Sequence, residues 1–136
     1  FIFTEKKSKE EIISELCKII SEKYNLNYED IFNKVMEREN ESSSGIANYL
    51  AIPHARFNIE TPILAIAVNK DGVDFSALDE TKSKFIFLLL TPENNNELQL
   101  QLLANIVNKF EKKETVEKII ELNDKHKIIN ALKSIK

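Results

Sequence analysis

The chain reads as an α/β protein in three layers, a sheet sandwiched between helices, and three observations predict this. Ser83 to Thr91 is a β-rich run in which Phe85 to Leu90 is continuously apolar. That is the pattern of a strand buried on both faces, hence a sheet covered by helices on both sides. Before it, Ile12, Ile13, Leu16, Ile19 and Ile20 recur at helical spacing. After it, Leu103, Ile106, Val107 and Phe110 do the same.

Each element follows from local signals. Ser8-Lys9-Glu10-Glu11 has the capping-box pattern, so a helix is predicted from Lys9 to Lys23. Asn27 is a helix cap for a second helix running to Met36, with Ile31, Phe32, Val35 and Met36 inward. That helix would deliver Arg38 just past its end. A loop from Glu39 to Tyr49 leads to a short buried strand, Leu50 to Ile52, which Pro53 stops. Pro62 precedes a central strand, Ile63 to Asn69, and Lys70-Asp71-Gly72 is a turn signal. After the main strand, Pro92 and three asparagines form a loop. Helices follow from Glu97 to Phe110, Thr115 to Leu122 and Asp124 to Ile135, with the Glu111–Glu114 run as a solvated turn.

Composition excludes several function classes. With 136 residues, 43% hydrophobic and 30% charged, a single domain spanning 1–136 with a real core is expected. The net charge of −3, with lysines alternating with glutamates, argues against nucleic acid as a partner. No apolar run reaches the length of a membrane helix. The chain begins at Phe1 without a signal pattern, as in a trimmed chain or a domain cut from a longer polypeptide, and its lone Cys17 fits a reducing, cytoplasmic location. Cys17 reads as helix filler, and His126, among lysines on the last helix, as an exposed side chain. Gly45 and Gly72 are the only glycines, so neither a P-loop nor a dinucleotide loop is available. No Cys/His cluster has metal-ligand spacing, and no cofactor is called for.

The chemically informative stretch runs from Arg38 to Arg56. His54 follows Pro53 at a strand end. Its neutral ring offers a nucleophilic nitrogen near pH 7. Arg38 supplies a planar cation suited to phosphate, and Ser42-Ser43-Ser44-Gly45 supplies hydroxyls and N–H groups for an anion nest. Together they suit phosphoryl transfer to a positioned imidazole. Taken alone, these residues are more ordinarily a hydrogen-bonded structural histidine, a solvated helix end and a plain loop.

The order Arg38-Glu39, Ser44-Gly45-Ile46, Ala51-Ile52-Pro53-His54-Ala55-Arg56 resembles the active-site signature of enzyme IIA domains. These belong to the fructose/mannitol/nitrogen-regulatory class of the bacterial phosphoenolpyruvate-dependent phosphotransferase system. Gly72 to Asp79, Lys84 to Glu93 and Leu98 to Leu103 resemble the family's later segments, so the likeness spans about residues 5 to 135. It implies a mixed sheet of about five strands. It also implies that His54 accepts a phosphoryl group from the histidine phosphocarrier protein, with Arg38 beside it and Ser43, Ser44 and Gln99 in support. The group would pass to a cysteine of an enzyme IIB domain, and no metal or organic cofactor is needed. Partners would include a fused or associated membrane transporter.

Two departures stand out. Ala47 and Tyr49 occupy places where the family usually has glycine, so Tyr49 is expected either to adopt an ordinary conformation or to cap the site. Gln99 aligns with the family's usual second histidine; its amide donates hydrogen bonds without titrating. These departures favour an alternative, a regulatory IIA-like module in which phosphorylation is a charge switch. A third reading is a degenerate domain that no longer accepts phosphate.

Overall fold

The computed structural model describes residues 2–6, 8–77, 79–122 and 124–134. Leu78 and Ile135, which belong to expected segments, lie outside them. The elements are β1 (Ile2–Phe3), α1 (Lys9–Tyr24), α2 (Tyr28–Glu41), β2 (Leu50–Ala51), β3 (His54–Phe57), β4 (Ile63–Val73), β5 (Ser83–Pro92), α3 (Asn96–Lys109), α4 (Lys113–Ile120) and α5 (Lys125–Ser134). The expected mixed five-stranded sheet is present, in the order β1-β4-β5-β2, with β3 also on β5. β4 is antiparallel to β5, while β2 and β3 run parallel to it.

β5 is the organising strand, and its alternation assigns the layers. Ile86, Leu88 and Leu90 join Ile12, Ile13, Leu16, Ile31 and Val35 of α1 and α2 in one core. Phe85, Phe87 and Leu89 join Ile106, Phe110, Val116, Ile119 and Ile128 from the opposite layer. There the Phe110 ring meets Phe85 and Phe87 edge-on, at centroid distances of 5.2 and 5.5 Å, each worth about 1 kcal/mol beyond burial.

Caps set the helix starts. Ser8 Oγ accepts from the Glu11 N–H, and Asn27 and Asn95 accept from Asp30 and Leu98. The far end of α2 departs from expectation. It continues to Glu41 rather than stopping at Met36, so Arg38 lies in its last turn instead of beyond it. The buried stripe Ile31, Val35 continues at the same four-residue spacing to Glu39, which is 3% exposed. A charged residue on the inward face hid this turn from a reading by apolar period.

Two further corrections concern strands. Pro53 does not end the pairing, because Leu50 faces Phe85 and His54 faces Leu89 at one constant offset. The Pro53 carbonyl still accepts from the Leu89 N–H, at 2.9 Å. Proline forfeits only a donor, so His54 opens β3 rather than trailing a finished strand. Lys70-Asp71-Gly72 also lies inside a strand. The Asn69 side chain accepts from the Asp71 and Gly72 N–H groups, Gly72 has φ +84°, and pairing resumes at Val73 opposite Ser83. The turn chemistry is local and produces a bulge rather than a reversal. Smaller differences move α4 two residues earlier, so that Lys113 and Glu114 open it rather than forming a turn. β1, pairing with Ala67 and Val68, has no sequence signal strong enough to predict it.

Tyr49 fulfils neither expectation. Its φ is +69° and that of Asn48 +53°, so the chain turns through two left-handed residues without glycine. Its ring lies away from His54, between the Lys84 and Lys113 ammonium groups at 5.3 and 5.5 Å, and its hydroxyl pairs with Glu117. The Asn48 amide donates to the Phe110 and Glu111 carbonyls. Contacts to the α3–α4 connection therefore offset the backbone strain.

Gly45 is a different case. A Cβ there would stand 2.3 Å from the Phe75 carbonyl oxygen, a backbone atom that cannot swing aside. Gly45→Ala should break the Gly45-to-Phe75 backbone hydrogen bond and lower stability by about 3 kcal/mol, measured by denaturant unfolding.

Candidate active site

His54 sits at the start of β3, half-buried, where the C-terminal end of α2 and the N-terminal end of α3 meet the sheet. Its Nδ1 lies 2.8 Å from the Ile52 carbonyl oxygen. A carbonyl only accepts, so Nδ1 carries the proton and Nε2 holds the free electron pair. Among the described residues Nε2 has no hydrogen-bond partner. The acceptor is a backbone carbonyl two residues earlier in the same run, so the ring is oriented by its own segment.

The ring opens into a cleft of about 210 Å³, lined by Lys34, Glu37, Arg38 and Glu41 of α2, His54, Ala55 and Arg56 of β3, and Gln99 of α3. The lining follows from periodicity: Lys34, Arg38 and Glu41 recur on one face of the helix whose opposite face is buried. Three cations thus face two carboxylates. Among the described residues none of the three cations forms a salt bridge. Arg38 Nη1 donates to the Ser42 carbonyl at 2.8 Å, which fixes the guanidinium at the negative end of α2. Arg56 Nη1 donates to Asn96 Oδ1 at 2.5 Å. Arg56 closes the signature run, and its residue type alone points to no role. Its alternation along β3, on the same side as His54, is the signal that identifies it.

Gln99 shares the cleft with His54. Its Nε2 donates to Thr91 Oγ1 at 3.2 Å. Ser43 and Ser44 do not line the cleft. The Ser43 hydroxyl donates to the Phe75 carbonyl. Ser44 is 6% exposed with its hydroxyl unpartnered. Three of the four N–H groups of the expected nest are occupied: Ser42 donates to Arg38, Ser44 to Glu39 and Gly45 to Phe75. These serines and Gly45 hold the loop against the segment after β4 instead of offering an anion nest. His126 is exposed on α5, and burial pushes the Cys17 thiol up to about 12. Neither takes part in the cleft.

Burial lowers the His54 pKa from its ordinary 6.5, and the Arg38 charge lowers it further, against the raising effects of the Ile52 carbonyl and Glu39. The ring is therefore neutral and nucleophilic at neutral pH. A folded pKa below the unfolded one gives a contribution to stability that is present above about pH 6.5 and lost as pH falls through the lowered value. In NMR titration His54 should turn over below 6.5. Arg38→Ala should move that midpoint upward, because it removes a neighbouring cation and admits water; an unmoved or lower midpoint would show that Arg38 does not act on the ring.

Comparison with known proteins places this geometry. Residues 1–135 match the family described as phosphoenolpyruvate-dependent sugar phosphotransferase system, EIIA 2. A fructose-specific EIIABC component from Bacillus subtilis (strain 168) is 28% identical over 130 residues, covering 94% of this chain. The chain spans only 20% of that relative's length. The crystal structure of nitrogen regulatory protein IIA-Ntr from Neisseria meningitidis superposes with a TM-score of 0.88 at 26% identity, covering 96% of this chain and 90% of that one. An Escherichia coli complex of enzyme IIA mannitol with phosphorylated enzyme IIB mannitol shares the fold, with a TM-score of 0.79 at 16% identity, covering 97% and 93%. With a family match running almost end to end over the fold and cleft described above, the chain belongs to the EIIA 2 family of the phosphoenolpyruvate-dependent sugar phosphotransferase system.

Proposed function

We propose that residues 1–136 form one phosphoryl-carrier domain in which Nε2 of His54 accepts a phosphoryl group from the histidine phosphocarrier protein and passes it to a cysteine of an enzyme IIB domain. The observation that carries this reading is the ring's setting. Nδ1 is committed to the Ile52 carbonyl, while Nε2 is free beside three cations without salt bridges. In the forward step the donor's N–P bond breaks as the bond to Nε2 forms, and the electron pair stays on the donor imidazole. The His54 ring becomes cationic, its Nδ1 proton held by the Ile52 carbonyl. Arg38, Arg56 and Lys34 balance a phosphoryl charge of about −2. In the second step a cysteine thiolate attacks phosphorus and the neutral ring leaves. No metal is needed, because the phosphoryl group arrives already activated and the cations supply electrostatic stabilisation.

The family match supports phosphoryl transfer as the chemistry. The B. subtilis relative, whose name joins A, B and C components in one chain, supports a cytoplasmic domain fused to or associated with a membrane transporter for sugar uptake of the fructose/mannitol type. The E. coli complex supports a IIB partner of the same kind. One observation favours a second reading, regulation by phosphorylation state. The IIA-Ntr structure superposes closely on this chain, and Gln99 leaves His54 as the only imidazole in the cleft.

Incubation with phosphoenolpyruvate, enzyme I and the phosphocarrier should add one acid-labile phosphoryl group, seen by intact mass. His54→Ala should abolish it, and label persisting in that variant would overturn the assignment. Gln99→His should alter the pH profile of transfer near neutrality by adding a titrating group. Identical profiles for both proteins over pH about 5–8 would remove Gln99 from the reaction.

A further inference from the structure

The inward stripe of α2 runs Ile31, Val35, Glu39, and a third aliphatic side chain would continue it without desolvating a charge. Glu39 nevertheless stands there, 3% exposed, with the Lys9 ammonium 3.5 Å from Oε1. Lys9 is one-third exposed and does not require a buried counter-ion. The same Oε1 accepts from the Ser44 N–H at 3.1 Å. From Ser44 a path of backbone contacts leads to the nucleophile: the Ile52 N–H donates to the Ser44 carbonyl at 3.1 Å, and the Ile52 carbonyl accepts from His54 Nδ1 at 2.8 Å. Ile52 is thus gripped on its N–H side by Ser44 and on its carbonyl side by the histidine. The adjoining Gly45 N–H donates to the Phe75 carbonyl at 3.2 Å, so Ser44 lies between that anchor and Glu39.

We infer that Glu39 is a positioning residue, which holds the tautomer and direction of the His54 ring through Ser44 and the Ile52 carbonyl. The inference rests on His54 being the acceptor only for its catalytic consequence; the effect on the ring does not depend on any donor. Without an acceptor in that place the Ser44 N–H would be buried and unpaired, at a cost relieved by drawing the loop toward water. The Ile52 carbonyl would follow it, and Nδ1 would lose its partner. Either ring nitrogen would then carry the proton, and the nucleophilic pair would no longer be confined to Nε2. The charged groups facing the ring are Lys34, Glu37, Arg38 and Glu41 from α2 and Arg56 from β3, while α3 presents the neutral Gln99. All are kept in the variants below.

The test is heteronuclear NMR of the His54 ring nitrogens in the whole chain, with the phosphoryl-acceptance rate measured beside it. The wild type should show the Nδ1–H tautomer. Glu39→Ala should shift the ring toward a mixture of tautomers and slow acceptance by about ten- to a hundredfold, the scale of a small misplacement of a reacting group. Glu39→Gln keeps an acceptor oxygen, so it should restore the Nδ1–H tautomer while lowering the ring's titration midpoint through loss of an anion. A folded Glu39→Ala protein with an unchanged tautomer would overturn the inference, as would Glu39→Gln behaving no better than Glu39→Ala. Should Glu39→Ala fail to fold, Glu39→Gln decides: the Ser44 amide and His54 Nδ1–H resonances should move together, and a shift at Ser44 alone overturns the coupling. If the ring responds as stated but no phosphoryl group is accepted, the carrier reading falls and the positioning role stands.

Discussion

The unbroken register along one edge of β5 is the constraint on which the site depends. Leu50 to Phe57 is nearly one strand, interrupted only at Ile52 and Pro53, and it keeps a single offset against Phe85 to Pro92. A one-residue slip would exchange the two faces. It would place phenylalanines that pack on α3 and α4 against α1 and α2, and would turn the His54 ring from the cleft into a core. Because β5 is buried on both faces, such a slip is resisted by both hydrophobic layers at once. The precision of the ring's position is thus derived from side chains remote from it. The cleft lies toward the C-terminal end of β5, where β2 has ended and β3 begins.

Around this strand, polar groups are used for placement more than for stability. The Glu39 carboxylate, the Ser43 hydroxyl and the Asn48 amide each end on backbone of another segment: Ser44, Phe75 and Phe110. A connection of eight residues between α2 and β2 has no room for a core of its own. Side-chain-to-backbone bonds and the close approach of Gly45 to Phe75 fix it instead. Tyr49 shows the same economy. Its left-handed backbone costs about 1 kcal/mol, and two lysines and Glu117 hold its ring on the α4 side, so the strained turn is stapled outside the site.

What the sequence made legible, and what it concealed, follow from the same physics. The three layers were readable because β5 is apolar at every position from Phe85 to Leu90, and the starts of α1 and α2 because Ser8 and Asn27 can each accept a backbone N–H. The last turn of α2 was not, because a reading by apolar period stops at a buried glutamate. The bulge in β4 looked like a reversal, because Asn69 and Gly72 make a turn's hydrogen bonds without reversing the strand. In the site, the motif placed His54, Arg38 and Gln99 around one cleft, since strand and helix spacing carry them there. Composition reports only that the serines carry hydroxyls and N–H groups, whereas tertiary contacts reveal that Phe75 takes the Ser43 hydroxyl and Glu39 the Ser44 N–H.

The charge pattern of the cleft follows from Gln99. A second imidazole there would add a proton-dependent charge beside His54, and acceptance and release of an anion would both vary with its titration. An amide held by Thr91 supplies hydrogen bonds of constant strength. Lys34, Arg38 and Arg56 line the same cleft as the His54 ring. Among the described residues the one imidazole in the cleft is that of His54, and burial lowers its pKa from the ordinary 6.5. On the proposed reading, loading a phosphoryl group on His54 would change the charge of the cleft by about two. That behaviour suits a carrier whose loading reflects the supply of its donor, and it suits a signal read from the same loading equally well.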